Sequence, residues 1–194
     1  MPIRTVFFVI IALIIQYIYL QGSLISSPHY PSSKIFSKVY QSQQYIVDEY
    51  IVNFDIPATT EVHLTPDKGQ EMLFNIYFVD SALSFRGYIQ VWIINDLPYF
   101  LTNSKSLSPF DFISYSIVNM SNSNYDFQEE WTANFGEKSI SALEYWLTIN
   151  PNNEVLRISF FTDNNDFPAD LVSIAQHIVS TIEIDKNSQI HGKP

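Results

Sequence analysis

Alternation of apolar and polar residues in the C-terminal third of the chain is the feature that most constrains its fold. From residue 125 to 135 every second side chain is apolar, except that Glu129 interrupts the apolar face. The alternation returns over 142–149 and 156–160, and an Asn-Pro-Asn-Asn turn separates these two segments. Three alternating strands joined by short turns predict an antiparallel meander over 125–162, with one core face and one wetter face.

A second pattern follows the meander and has the period of an α-helix. Apolar residues recur at spacings of three and four from Leu171 to Ile182, and Asp166 and Pro168 mark the start. An isolated helix of this length is marginal in water, so its apolar stripe must be covered by the sheet. The pattern therefore predicts a long C-terminal helix over 168–182 that packs on one face of the sheet.

The first half of the domain also favours strands. Apolar runs and period-two patterns predict four strands, over 45–56, 61–64, 72–79 and 88–94. Asp96 is a suitable N-cap for a short helix over 97–102, and Ser108 followed by Pro109 predicts a second helix over 109–120. The expected fold class is α+β, an antiparallel sheet of about six or seven strands with a long C-terminal helix packed on one face.

The N-terminus carries an apolar run, residues 6–20, in which Gln16 is the one polar residue. With its flanks the run reaches the roughly 20 residues that a bilayer core requires, so residues 6–25 are predicted to form an uncleaved transmembrane signal anchor. A cleaved secretory signal and a buried soluble helix are the alternatives, although no Ala-x-Ala-like cleavage site follows the run. The remaining chain is then expected outside the cytoplasm, as a single-pass membrane protein or, if the segment is cleaved, as a secreted one.

Shifts in composition divide the chain into four parts. The predicted parts are an anchor over 1–25, a Ser/Pro-rich stalk over 26–44, an α+β domain over 45–184 and a polar tail over 185–194.

Composition also excludes several classes of function. Ten Lys and Arg against 20 Asp and Glu give a net charge of −10, which argues against a nucleic-acid partner. The absence of cysteine excludes disulfide scaffolds, iron–sulfur sites and cysteine nucleophiles. Five scattered glycines leave no phosphate-binding loop, and the four histidines have no helical metal-ligand spacing. We therefore expect no cofactor and no metal site.

Several segments carry a resemblance to a known fold. They are an opening strand that ends in proline (51–57), a middle helix, a strand reading ALEYWL (142–147), a hairpin over NPNNE, a strand reading RISFF and a closing amphipathic helix. Their order resembles the family that includes the PsbP subunit of the oxygen-evolving apparatus and the Ran-binding Mog proteins, over roughly residues 45–184. Most members are non-catalytic adaptors, so the resemblance implies binding and docking rather than catalysis.

Two residues are candidates for a surface or groove site, Trp146 and Glu129. Trp146 points away from the core side chains of its own strand, which indicates a surface or groove aromatic. Glu129 breaks an apolar face, as a functional carboxylate with a raised pKa can, or as a carboxylate paired with Arg157 or Arg86 across the sheet would. No catalytic residue is assigned.

Two hypotheses of function follow from these observations. The first is a membrane-anchored, extracytoplasmic domain with a non-enzymatic binding or adaptor role, attached through residues 6–25 and bound to a protein or envelope component. The second is a small-molecule or metal-ion binding domain, or a hydrolase without a recognised motif.

Overall fold

A computed structural model describes residues 39–65, 71–120, 123–150 and 153–186. The described residues form ten strands and two helices. In chain order these are β1 (Tyr40–Val47), β2 (Tyr50–Pro57), β3 (Glu61–Leu64), β4 (Met72–Asp80), β5 (Phe85–Ile93), α1 (Leu97–Leu107), β6 (Asp111–Asn119), β7 (Phe127–Phe135), β8 (Lys138–Asn150), β9 (Glu154–Thr162), α2 (Ala169–Thr181) and β10 (Glu183–Lys186).

The strands form a large and a small antiparallel sheet. The large sheet has seven strands in the order β3-β4-β5-β9-β8-β7-β6, and the small sheet has the order β1-β2-β10. The predicted meander is confirmed, because β7 pairs with β8 and β8 pairs with β9, all antiparallel. The first and the last described strands, β1 and β10, both belong to the small sheet, where each pairs with β2.

The predicted fold class is wrong in two respects, the proportion of strands to helices and the number of sheets. Strands dominate the described residues, and they divide into two sheets rather than one sheet of six or seven strands. The first predicted strand is in fact a hairpin, since Asp48 adopts a φ of 51° and turns the chain between β1 and β2. Alternation continues on both sides of that turn, so the hydrophobic pattern alone did not reveal it.

The predicted helix over 109–120 is also wrong, because this segment forms strand β6. Ser108 and Pro109 end a helix rather than begin one. Ser108 caps the C-terminus of α1, where its backbone N–H donates to the carbonyl oxygen of Lys105. Proline is common just after a helix because it cannot continue the hydrogen-bonding pattern. The short helix capped by Asp96 is confirmed and extends further than predicted, to Leu107.

The transmembrane helix predicted over residues 6–25 lies outside the described residues. Within the described ranges, neither helix has the length and apolar character needed to cross a bilayer. Two segment bounds also differ from those expected. Strand β1 begins at Tyr40, within the predicted stalk, and strand β10 extends to Lys186, within the predicted tail.

The main hydrophobic core lies on one face of the large sheet, which we call the inner face. The predicted C-terminal helix is confirmed as α2, and its apolar stripe is buried in this core with residues of both sheets. The buried stripe consists of Leu171, Ile174, Ala175, Ile178 and Val179. Burial stabilises the larger of these side chains by roughly 1.5–3 kcal/mol each, which holds α2 in place.

The opposite, outer face of the large sheet combines the side of β8 that was expected to be wet with the apolar side of β7, and α1 and strand β6 bring side chains against it. Leu97 and Leu101 of α1 are buried in a second cluster together with Trp92 and Trp146 of the sheet. A third cluster contains Trp131 and, packed against it, aromatic side chains from β6 and the loop before it. The outer face is therefore a second core, and the candidate site lies within it.

Candidate functional site

A cavity of about 100 Å³ lies between the outer face of the sheet, helix α1 and strand β6. We call it the outer cavity. Nine aromatic side chains line it, contributed by the sheet, by α1 and by the β6 region. They are Tyr88, Trp92, Phe100, Phe110, Phe112, Tyr115, Trp131, Trp146 and Phe161.

The strand register places these side chains on one face. In a strand, alternate residues point to the same side, and residues directly opposite each other across a pair share that side. Glu129 on β7 lies opposite Glu144 on β8, which lies opposite Ser159 on β9. One step along, Trp146 on β8 lies opposite Arg157 on β9. Two carboxylates and an arginine are thus brought together in the floor of the outer cavity.

Glu144 and Arg157 form a buried ion pair. The Arg157 Nε donates to Glu144 Oε2 at 2.7 Å, and the other carboxylate oxygen accepts from Trp131 Nε1 at 2.8 Å. Arg157 also donates through Nη1 to Gln90 Oε1 at 3.2 Å, and Gln90 donates to Asn75 Oδ1 at 3.0 Å. A buried charge is tolerated only when it is paired and hydrogen-bonded, and this network satisfies both members.

Glu129 is bound by two neighbours that the sequence did not identify as its partners. Trp146 Nε1 donates to its Oε2 at 2.8 Å, and the Tyr115 hydroxyl makes a short hydrogen bond with its Oε1. The same Tyr115 hydroxyl lies 3.3 Å from the carbonyl oxygen of Leu101. Glu129 therefore connects the floor of the cavity to strand β6 and helix α1.

All three tryptophans of the chain belong to this network. Trp131 donates to Glu144, Trp146 donates to Glu129, and Trp92 Nε1 donates to Gln90 Oε1 at 3.1 Å. Buried indole N–H groups need an acceptor, and here each finds one in the polar floor. The network is thus a set of large apolar side chains fixed in place by their polar atoms.

Burial and, after it, the nearby carboxylate of Glu144 raise the pKa of Glu129, which lies at about 7. The hydrogen bond from Tyr115, the charge of Arg157 and the hydrogen bond from Trp146 oppose this shift. Burial by itself lowers the pKa of Arg157, but Glu144 and Glu129 outweigh that effect and the net pKa is raised. Arg157 is therefore a permanent cation, whereas Glu129 exchanges its proton near neutral pH.

Two further cations line the cavity. Lys105 Nζ on the exposed side of α1 lies over the ring of Tyr115 at 4.7 Å and over that of Phe112 at 5.6 Å. Arg86 Nη2 pairs with Asp163 Oδ1 at 2.7 Å, and its buried Nε has no hydrogen-bond partner among the described residues. Lys105 Nζ and Arg86 Nε thus have no hydrogen-bond or ion-pair partner among the described residues. In the floor of the cavity, by contrast, the two carboxylates and Arg157 are already hydrogen-bonded within the protein.

The structure brings the two candidate residues, Trp146 and Glu129, into direct contact. Both line the outer cavity, and they are 3% and 4% exposed. Neither Arg157 nor Arg86 forms an ion pair with Glu129, since Arg157 pairs with Glu144 and Arg86 pairs with Asp163.

Sequence reasoning missed Glu144, Tyr115 and Lys105. Glu144 was assigned to a wet face, although Trp146, two residues later, lies on the same face, and that pairing of an acidic and an aromatic residue was the available signal. Tyr115 was assigned to a helix, so its position beside β7 could not be anticipated. Among the described residues no cluster of three or more metal-ligating side chains occurs.

Comparisons with known proteins give the fold context. No protein-family model matches the chain. No curated protein matches it significantly. Among solved structures, the chain is similar to the Ran-binding protein Mog1p of Saccharomyces cerevisiae, with 7% identity, a TM-score of 0.48, and coverage of 75% of this chain and 96% of that one.

A second similar structure is LpqN of Mycobacterium tuberculosis, which is involved in cell envelope biogenesis. It has 12% identity and a TM-score of 0.42, with coverage of 81% of this chain and 99% of that one. The predicted resemblance to the PsbP and Mog family thus has a structural neighbour in Mog1p but no matching family model. At these identities and scores the likenesses carry no argument about function.

Proposed function

We propose that this chain is a non-enzymatic binding protein and that the outer cavity is its binding site. The observation that carries the proposal is a partly open cavity with aromatic walls on a rigid sheet. Ligand sites are concave, mostly apolar and largely preformed, with a few polar groups that fix orientation. The outer cavity has this composition, and its walls are held by hydrogen bonds from tryptophan and tyrosine side chains.

The state of the polar groups supports binding rather than catalysis. Each oxygen of Glu129 and Glu144 already has a hydrogen-bond partner in the protein. A general acid or base needs an atom free to reach the substrate, and a nucleophile needs an adjacent base. Among the described residues that line the cavity, none is a histidine that could serve as such a base. The carboxylates therefore act as structural acceptors that hold the aromatic walls.

Filling the cavity tests this proposal. Ser104 on α1 lines the cavity, whereas Ser106, two residues later, is exposed to solvent. In the full chain, Ser104→Phe should place a ring in the cavity and abolish binding of a neutral probe, benzyl alcohol, while Ser106→Phe should leave it intact. Binding is followed through the three indole N–H signals in the NMR spectrum. If benzyl alcohol shifts these signals equally in both variants, the cavity is not the binding site.

A second candidate function is protein docking along strand β6. Of the described strands, β6 pairs only with β7, so its other edge is open. Ile113 and Val118 on this strand are 64% and 50% exposed. An open edge with exposed apolar residues can take up an extended segment of another protein as an additional strand. This surface suits the protein or envelope partner expected from the sequence.

Peptide binding distinguishes the two candidates. An extended apolar peptide selected from a displayed random library should protect the β6 amides from hydrogen exchange. Val118→Lys should weaken its binding at least about tenfold, because a lysine on an edge strand opposes the addition of an apolar strand beside it. Glu130→Gln, on the exposed side of the neighbouring strand β7, provides the control. Protection elsewhere on the molecule, with β6 unchanged, would refute docking at this edge.

A further inference from the structure

We propose that the outer cavity accepts a single aromatic ring bearing an anionic group, and that Lys105 pairs with that anion. This inference rests on the proposed binding function, because it specifies the ligand class for the same cavity. It is drawn from the size of the cavity, from the composition of its walls, and from which polar atoms around it already have a hydrogen-bond or ion-pair partner and which do not.

The cavity's size and walls select one aromatic ring. Its volume of about 100 Å³ is of the same order as apolar protein cavities of about 150 Å³ that take up benzene. The wall rings already pack edge-to-face and tilted, for example Phe100 with Trp146 at a centroid distance of 5.8 Å and Phe110 with Trp131 at 5.4 Å. Aromatic pairs prefer these arrangements, so a planar ring continues the packing of the wall.

The acceptors of the floor are already used. All four carboxyl oxygens of Glu129 and Glu144 already have a hydrogen-bond partner in the protein. Gln90 Oε1 accepts from both Trp92 and Arg157. A ligand that offers only donors therefore has to share these acceptor atoms with the protein's own donors.

The donors at the cavity wall are not all used. Lys105 forms no ion pair with any described residue, although its ammonium group lies over two cavity rings. The buried Nε of Arg86 likewise lacks a hydrogen-bond partner among the described residues. Unmatched donors favour a ligand with a charged acceptor, since hydrogen bonds between ionised partners are about twice as strong as neutral ones.

A cationic ligand fits this site poorly even though aromatic walls attract cations. The chain's own cations already occupy the ring faces, with Lys105 over Tyr115 and Phe112 and Arg157 over Trp146 at 5.2 Å. Negative charge in the floor is offset as well, because Arg157 pairs with Glu144. The remaining carboxyl, Glu129, has a pKa of about 7 and is mostly protonated in mildly acidic solution.

Three probes with one ring and different charges test the ligand class. Benzoate, benzyl alcohol and benzylammonium are titrated into the full chain at about pH 6, and the three indole N–H signals report binding. We expect benzoate to bind about tenfold more tightly than benzyl alcohol, and benzylammonium to bind most weakly. Lys105→Gln should remove the preference for benzoate. Lys138→Gln, a charge loss on the exposed start of β8, should keep it.

The outcomes separate this inference from the proposed function. If all three probes bind equally, or if benzylammonium binds most tightly, the anionic class is wrong while binding in the cavity stands. If Lys105→Gln leaves the benzoate preference unchanged, Lys105 is not the anchor and the inference fails. If no probe shifts an indole signal, the proposed function itself fails.

Discussion

Glu129 makes the stability of the domain depend on pH in an unusual direction for a carboxylate. Its pKa in the folded state is about 7, above the ordinary value of 4.5, because burial disfavours the charged form. The folded state therefore binds the proton more tightly than the unfolded chain does. The stabilisation due to this proton is complete below about pH 4.5 and is lost as the pH rises through about 7.

We predict that Glu129→Gln removes this dependence. A glutamine keeps the shape and a carbonyl acceptor for Trp146, but it carries no titrating proton. Urea unfolding of wild type should show a loss of roughly 2–3 kcal/mol between about pH 4.5 and 8 that the variant lacks. Glu130→Gln, at the exposed neighbouring position, should retain the wild-type slope. Equal pH slopes for wild type and Glu129→Gln would contradict the raised pKa.

The ion pair between Arg157 and Glu144 gives a second prediction at this scale. Arg157→Met removes the cation and leaves Glu144 buried with one hydrogen bond, so the free energy of unfolding should fall by about 3–5 kcal/mol. The double variant Arg157→Met with Glu144→Gln should recover a large part of that loss, because no uncompensated charge remains. Denaturant unfolding of the single and double variants measures the coupling. If the losses in the free energy of unfolding for the two substitutions simply add in the double variant, Arg157 and Glu144 do not stabilise each other.

At the scale of single elements, strand β5 depends on a close approach at Gly87. A Cβ at this position would lie 1.9 Å from the backbone oxygen of Ser159 on β9 and 2.5 Å from the Phe78 ring on β4. The central pairing of β5 with its neighbours thus requires a residue without a side chain.

Gly87→Ala is predicted to destabilise the domain by at least roughly 1–3 kcal/mol, since a backbone atom cannot move aside as a side chain can. Gly136, in the turn between β7 and β8, has a φ of 61° and open space around it. Gly136→Asn should therefore be nearly neutral, because asparagine tolerates this backbone conformation. Thermal unfolding of the two variants checks the contrast, and similar losses for both would show that the contact at Gly87 is relaxed.

Strand β6 shows where local signals mislead. Ser108 and Pro109 have the chemistry of a helix start, and Phe110, Ile113 and Ile117 have helical spacing. The chain nevertheless extends along β7, because Tyr115 thereby reaches Glu129 and the aromatic cluster. Long-range pairing decided between two conformations that the local sequence permits.

For the whole molecule, we predict that the described domain folds without residues 1–33. The described strands and helices already bury a continuous core on the inner face and a second one on the outer face. Deleting residues 1–33 should give a soluble protein with the Tm of the full chain in detergent, measured by circular dichroism. An insoluble or unfolded product would show that the N-terminal segment contributes to the core. The location of the domain outside the cytoplasm stays a prediction from the sequence.

The sequence by itself determined the meander β7–β8–β9 and helix α2, because period-two and period-3.6 patterns depend on neighbouring residues alone. It also marked Glu129 as exceptional, since a carboxylate on an apolar face is visible without a structure. The tertiary structure decided the rest. The placement of β6 beside β7, the small sheet that joins β10 to β2, and the covering of the outer face by α1 all depend on contacts between distant residues. Only that covering encloses the cavity where Glu129, Trp146 and Arg157 meet, because burial, rather than residue type, sets the pairing and pKa of these groups.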